Sequence, residues 1–214
     1  MNIKVCGVTN LEQLTQLDKM GVDYAGLLFD ADSCYYAADK ISPQDLNETE
    51  LYIRKIGVFS NATIDQVLSI VEEYNLDMVQ LCGEETPEFC SVISSQLELI
   101  KTFFPSDFNA AALNDLVSAY DEVCDFYSFD LMPSQKNNEL SFAHYWKAII
   151  DASFEKPFFM GGGMVRPTDA PILHTFKHPD FFGVEVNQYF ERIPGIKDTS
   201  LILSFMRAIN QVDN

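Results

Sequence analysis

Eight short apolar runs, most of them separated by segments of helical pattern, constrain the fold of this 214-residue chain more than any other feature. They are Ile3 to Cys6, Tyr24 to Phe29, Ile56 to Phe59, Met78 to Cys82, Leu97 to Phe103, Phe126 to Phe129, Pro157 to Met160 and Phe182 to Val186. Between them, Leu11, Leu14, Leu17 and Met20 recur at helical spacing, as do Ile64, Val67, Leu68, Val71 and Tyr74. Thr63, Thr86-Pro87-Glu88 and Pro167 are helix-start signals. Strands of this length alternating with single helices predict a parallel sheet with right-handed crossovers, covered by helices. Eight repeats predict an α/β fold closed into a (β/α)8 TIM barrel, with residues 1–214 as one domain. Such barrels usually run to about 250 residues, so this one is of near-minimal length with short loops. The rival, a doubly wound open sheet, lacks its Gly-x-Gly-x-x-Gly turn, because Cys6-Gly7-Val8-Thr9-Asn10 follows the first run.

Charge narrows the partners. With 32 acidic residues against 14 basic ones, the chain carries a net charge of −18, which repels nucleic acid and anionic membrane surfaces. A small anionic ligand remains compatible, provided backbone amides or local cations hold it. The amino terminus lacks the pattern of a signal peptide, no apolar stretch is long enough to span a bilayer, and a cytoplasmic location is expected. Five cysteines without a CxxC pair suggest reduced, mostly buried thiols, neither a disulfide framework nor a metal site.

In a barrel, the residues just beyond each strand converge on one rim. Here they are Cys6, Asp30, Ser60, Asn61, Cys82, Gly83, Asp130, Gly161 to Gly163, Glu185 and Asn187. Cys6 at the end of the first strand points toward the cleft, although free cysteines are more often small buried hydrophobes. Asp130 follows Tyr127-Ser128-Phe129, where an acid is costly to bury unless it is paired or functional; a helix cap or surface turn is the plainer role. Gly161-Gly162-Gly163 after the seventh run lies where barrels bind phosphate, and by itself also suits a flexible turn.

Several motifs together resemble the phosphoribosylanthranilate isomerase family of tryptophan synthesis, nearly end to end. They are Lys4-Val5-Cys6-Gly7-Val8-Thr9, Gly57-Val58-Phe59, Asp77 to Glu85 with Pro87-Glu88, Phe129-Asp130, Met160 to Gly163, Gly183 to Val186, and Pro194-Gly195-Ile196-Lys197-Asp198. The resemblance implies an Amadori rearrangement of N-(5-phosphoribosyl)anthranilate to 1-(2-carboxyphenylamino)-1-deoxyribulose 5-phosphate. By motif position, Asp130 is the implied general acid and Cys6 the implied general base. Substrate- and phosphate-holding positions carry over as Gly162, Gly163, Asn187, Gln188, Tyr35 and Cys82. The implied substrate is a small phosphosugar, with no metal and no organic cofactor, because the substrate's own nitrogen is the electron sink. The implied assembly is a monomer or homodimer.

Departures from the family pattern cluster on the substrate. Tyr35 stands where an Arg is expected to hold the anthranilate end, and Cys82 where a His is expected. Pro133 to Glu139 replaces a glycine-rich loop after the acid, and Asn187-Gln188-Tyr189 replaces a Ser-Ser-Gly phosphate turn. Lys136, Arg166 and Lys197 are the candidate compensating cations, and Tyr189 occupies a position where glycine suggests a positive φ. The alternative expectation is a divergent relative that binds another small anionic ligand, or one without turnover.

Overall fold

A computed structural model describes residues 1–131 and 142–210. Eight parallel strands pair in chain order: β1 (Asn2–Cys6), β2 (Tyr24–Leu28), β3 (Arg54–Phe59), β4 (Met78–Leu81), β5 (Glu98–Phe103), β6 (Phe126–Phe129), β7 (Phe158–Met160) and β8 (Phe181–Val186). The last pairs with the first, Lys4 opposite Glu185, so the sheet is a closed barrel. Each of the eight apolar runs became a strand, with ends shifted by a residue or two.

The helices are α1 (Leu11–Lys19), α2 (Pro43–Glu48), α3 (Ile64–Tyr74), α4 (Pro87–Ser94), α5 (Ala110–Val117), α6 (Phe142–Asp151), α7 (Ala170–Thr175) and α8 (Thr199–Asn210). Their starts are local side-chain chemistry. Thr63 caps α3 in a reciprocal box with Gln66, and Thr86 caps α4 with Pro87 in its first turn. Pro167 opens a short 3-10 turn that leads into α7 at Ala170.

A recurring acid locks strand pairs at the amino-terminal end. Asp23, Asp77 and Asp125, each just ahead of an even-numbered strand, accept from the backbone N–H of Ile3, Lys55 and Leu99 at 2.7–2.8 Å. Register is thereby fixed below the rim where the chemistry sits.

The barrel interior is layered. Tyr24, Phe126, Phe159 and Phe182 form an aromatic floor with centroids 4.9–6.2 Å apart. A register shift between Phe158 and Phe159 brings Phe182 against this cluster. Above it lies a polar layer of Lys4, Gln80, Thr102 and Glu185, all buried, and above that the carboxyl-terminal rim opens into a cavity. Among the described residues, no helix is long and apolar enough to cross a membrane.

Candidate active site

The cavity at the rim measures about 270 Å³ and brings together Cys6 from β1, Cys82 after β4, Asp130 after β6, and Glu185 and Asn187 at the end of β8. Of the residues expected from sequence to act, Cys6, Cys82, Asp130 and Asn187 therefore share one space. Larger hollows of about 340 and 310 Å³ flank Tyr52 and Arg54 at the amino-terminal end, away from these strand ends.

Cys6 is 4% exposed and pairs in register with Gly26 of β2. Burial pushes its thiol up to about 12, the Glu185 carboxylate pushes the same way, and the Lys4 ammonium opposes both. Lys4 lies beneath it, donating to Glu185 Oε2 at 2.5 Å and to Gln80 Oε1, with Nζ 3.9 Å from Cys6 Sγ. Burial alone lifts a carboxyl, but the pairing with Lys4 and the hydrogen bonds outweigh it and hold Glu185 below the usual range. Cys82 donates to Thr102 Oγ1 at 3.3 Å, and burial pushes its thiol also up to about 12.

Asp130 is half-buried. Its Oδ1 accepts from the backbone N–H of Leu131 and of Gly163, both at 2.7 Å. Two amides on one oxygen orient the carboxyl group from behind. The glycine run permits this approach: a Cβ on Gly161 would fall 2.6 Å from the Asp130 Cβ. One on Gly162 would fall 2.9 Å from the Asn187 Cβ. Gly162 and Asn187 thus meet between the seventh and eighth strands, while the Gly163 N–H is engaged by Asp130.

The eighth loop holds a feature the apolar pattern missed, a hairpin of β9 (Glu191–Ile193) and β10 (Ile196–Lys197). The signal was there in Pro194-Gly195, a turn dipeptide between Ile193 and Ile196. Gly195 takes φ +83, Thr9 donates to its carbonyl at 2.6 Å, and Gln13 bonds both the N–H and the C=O of Lys197. So pinned, Lys197 is buried and donates to Asn187 Oδ1 at 2.7 Å and Glu191 Oε1 at 2.5 Å. Its ammonium stands 5.4 Å from the Tyr35 ring centroid, and the Tyr35 hydroxyl donates to Glu191 Oε2 at 2.9 Å.

A family model described as N-(5'phosphoribosyl)anthranilate (PRA) isomerase matches residues 3–208. The chain belongs to that family. The N-(5'-phosphoribosyl)anthranilate isomerase of Phocaeicola vulgatus is 32% identical over 214 residues, covering 99% of this chain and 98% of its own. That of Parabacteroides distasonis is 29% identical, covering 98% and 93%. The crystal structure of phosphoribosyl anthranilate isomerase from Thermotoga maritima, 24% identical, superposes with a TM-score of 0.84 over 99% of this chain and 100% of its own, a likeness of fold.

Tyr35 faces Lys197 and Glu191 beside Gly7, where a Cβ would fall 3.0 Å from the Tyr35 ring. Gln188 is exposed on a 3-10 turn, Gln188–Phe190, and does not line the cavity. Tyr189 has no positive φ, so the strain expected at that position is absent; the 3-10 turn accommodates any side chain, and the Arg166 guanidinium stands 5.3 Å from its ring centroid. Lys136 and the segment Pro133 to Glu139 lie outside the described residues. Five free cysteines fit the expected thiols, with Cys34 exposed and Cys82 half-buried as exceptions to burial.

Proposed function

We propose that this chain catalyses its family's reaction, the Amadori rearrangement of N-(5-phosphoribosyl)anthranilate, with Asp130 as general acid and Cys6 as general base. The observation that carries this reading is that the two side chains, at the end of β1 and just after β6, line one cavity at the carboxyl-terminal rim. The Asp130 proton passes to the furanose ring oxygen, the bond from that oxygen to the sugar C1 breaks, and the nitrogen lone pair closes a cationic C1=N bond. A Cys6 thiolate then takes the proton from C2. The released electron pair forms C1=C2 and neutralises the nitrogen, and the resulting enol becomes the C2 ketone as C1 gains a proton and the C2 hydroxyl gives one up. No redox cofactor is required by this electron count.

A thiol at about 12 is neutral near neutral pH. The cationic imine of the opened sugar adds positive charge beside the buried thiol, so the thiolate is favoured at the step that uses it. Gly162 and Asn187 are assigned to the phosphate end. Beside Tyr35, which stands where the family places an Arg, Lys197 supplies a buried cation bonded to Asn187. The enzyme is read as a cytoplasmic monomer or homodimer.

Growth of a tryptophan auxotroph lacking this isomerase, together with turnover by the purified protein, tests the reading. The unmodified chain is expected to restore growth, and Cys6→Ala or Asp130→Ala to abolish it. Failure of the soluble, unmodified chain in both assays would overturn the activity. Full turnover by either variant would overturn that residue's role.

A further inference from the structure

Lys4 takes no part in the proton transfers described above, yet it is 1% exposed and its ammonium is fixed beside the reactive sulfur. Glu185 and Gln80 hold it from two sides, and Gln80 is itself anchored by donating to Thr102 Oγ1 at 2.8 Å and to Glu185 Oε2 at 3.4 Å. On its third side stands Cys6 Sγ at 3.9 Å, a contact distance for an ammonium and a thiolate. A buried ion pair adds little to stability over well-packed apolar groups. What this pair does place is a fixed positive charge next to the thiol.

Charged and titratable groups surround Cys6, and Asp30 after β2 and Asp130 after β6 line the same cavity. Lys4 is on its own strand, Glu185 on β8, Cys82 after β4, Lys197 on β10, and Tyr35 in the segment after β2. Lys4 and Lys197 favour the thiolate, whereas Glu185 and Cys82 oppose it. Lys4 and Glu185 therefore act on the sulfur with opposite signs although they are bonded to each other.

We propose that Lys4 is a positioning residue whose ammonium holds the Cys6 thiolate, and that Glu185 sets how much of that charge the sulfur receives. This rests on the reading of Cys6 as the base. The geometry makes the prediction two-signed. Removing Lys4 leaves the thiol facing a carboxylate, and removing the Glu185 charge leaves the thiolate as the anion nearest Lys4.

Iodoacetamide alkylation of Cys6, followed in the intact protein by the mass of the Cys6 peptide at a fixed pH of about 9, reads the thiolate fraction directly. Lys4→Met is expected to slow alkylation about tenfold, one unit of thiol pKa, and Glu185→Gln to speed it by a similar factor. The double variant, with neither charge, is expected to return to within a few-fold of the unmodified rate. In turnover, Lys4→Met is expected to lower kcat more than it raises KM. A merely structural pair would change both single variants in the same direction, or neither, and that result overturns the proposal. Should Lys4→Met fail to fold, Glu185→Gln against the double variant decides, since only Glu185→Gln keeps the ammonium. If Cys6→Ala retains turnover, the base assignment falls, and with it the catalytic meaning of the contact. An absent alkylation pattern with Cys6→Ala inactive overturns only the role of Lys4.

Discussion

Gly26 lies directly across the sheet from Cys6, so close that a Cβ on Gly26 would fall 2.7 Å from the Cys6 sulfur and 3.2 Å from its Cα. The base of the proposed mechanism thus occupies space that a side chain on the neighbouring strand would fill. Gly26 has no positive φ, so close approach rather than backbone conformation is what requires glycine there.

Gly26→Ala is expected to turn the thiol away from its present position without unfolding the barrel. A displacement of about 1 Å at a reacting atom costs on the order of a hundredfold in rate. Steady-state kinetics beside a thermal melt checks this: kcat/KM should drop by about that factor while the variant still unfolds in one cooperative transition. A variant as active as the parent would show that the sulfur can sit elsewhere and still react.

The Cys6 thiol, pushed up to about 12 chiefly by burial, makes a pH prediction whose sign follows from the thiolate being the nucleophile. Far below its pKa, the thiolate fraction grows tenfold with each unit of pH. Alkylation of Cys6 in the free protein should therefore climb continuously between roughly pH 7 and pH 10, with no plateau in that window. A plateau near pH 8 would mean that the surrounding cations already outweigh burial and Glu185. A substrate analogue bearing a cation at the imine nitrogen should shift the curve toward lower pH.

The barrel was legible because its signal is periodic: eight apolar runs sit in the sequence at strand length, and each became a strand. That Cys6 and Asp130 share one rim was legible from their places at strand ends, while the roles proposed for them come only from the family resemblance. What stayed hidden depends on closure. Nothing local in Lys4, Gln80 and Thr102 says that β1, β4 and β5 bring them into one buried layer with Glu185. Gly26 looked like an ordinary strand glycine until its partner across the ladder was known to be Cys6. The β9–β10 hairpin is too short for an apolar pattern, with two and three residues a side. Only its Pro194-Gly195 turn marks it, and yet it seats the Lys197 ammonium against Asn187, which lines the cavity.

Lys197→Met tests whether that hairpin replaced the family's arginine. Lys197 and Glu191 are both buried and bonded at 2.5 Å, so removing the ammonium strands a carboxylate. Breaking such a pair from one side typically costs about 3–5 kcal/mol. Two effects are expected: a lower urea midpoint, and a KM raised at least about tenfold with a smaller change in kcat, as for loss of a charge-assisted contact to substrate. Glu191→Gln with Lys197 kept should lose less stability and, by freeing the ammonium, lower KM. An unchanged KM in Lys197→Met would locate the substrate-binding cation elsewhere.

Glu85 gives a prediction about the loops above β3 and β4, which carry Ser60 and Cys82 into the cavity. Its carboxylate, buried at 2% side-chain exposure, accepts from Asn61 N–H at 2.8 Å, from Gly83 N–H at 2.9 Å and from Lys101 Nζ at 2.9 Å. Lys101 in turn donates to the Gly83 carbonyl at 2.7 Å, so one ion pair ties both loop exits together. The approach is tight: Asn61 takes φ +54, and a Cβ on Gly83 would fall 2.4 Å from its side-chain oxygen. Glu85→Ala therefore removes the acceptor for two backbone amides and an ammonium at once, with an expected loss of about 3–5 kcal/mol in urea unfolding. Glu85→Gln keeps one acceptor oxygen and should fall between it and the parent. Because the ion pair fixes where Cys82 sits, kcat/KM of the folded Glu85→Ala protein should fall as well. Introducing Lys101→Met into Glu85→Ala should recover part of the stability, by removing the stranded charge, and none of the activity, since the two loop exits stay untied.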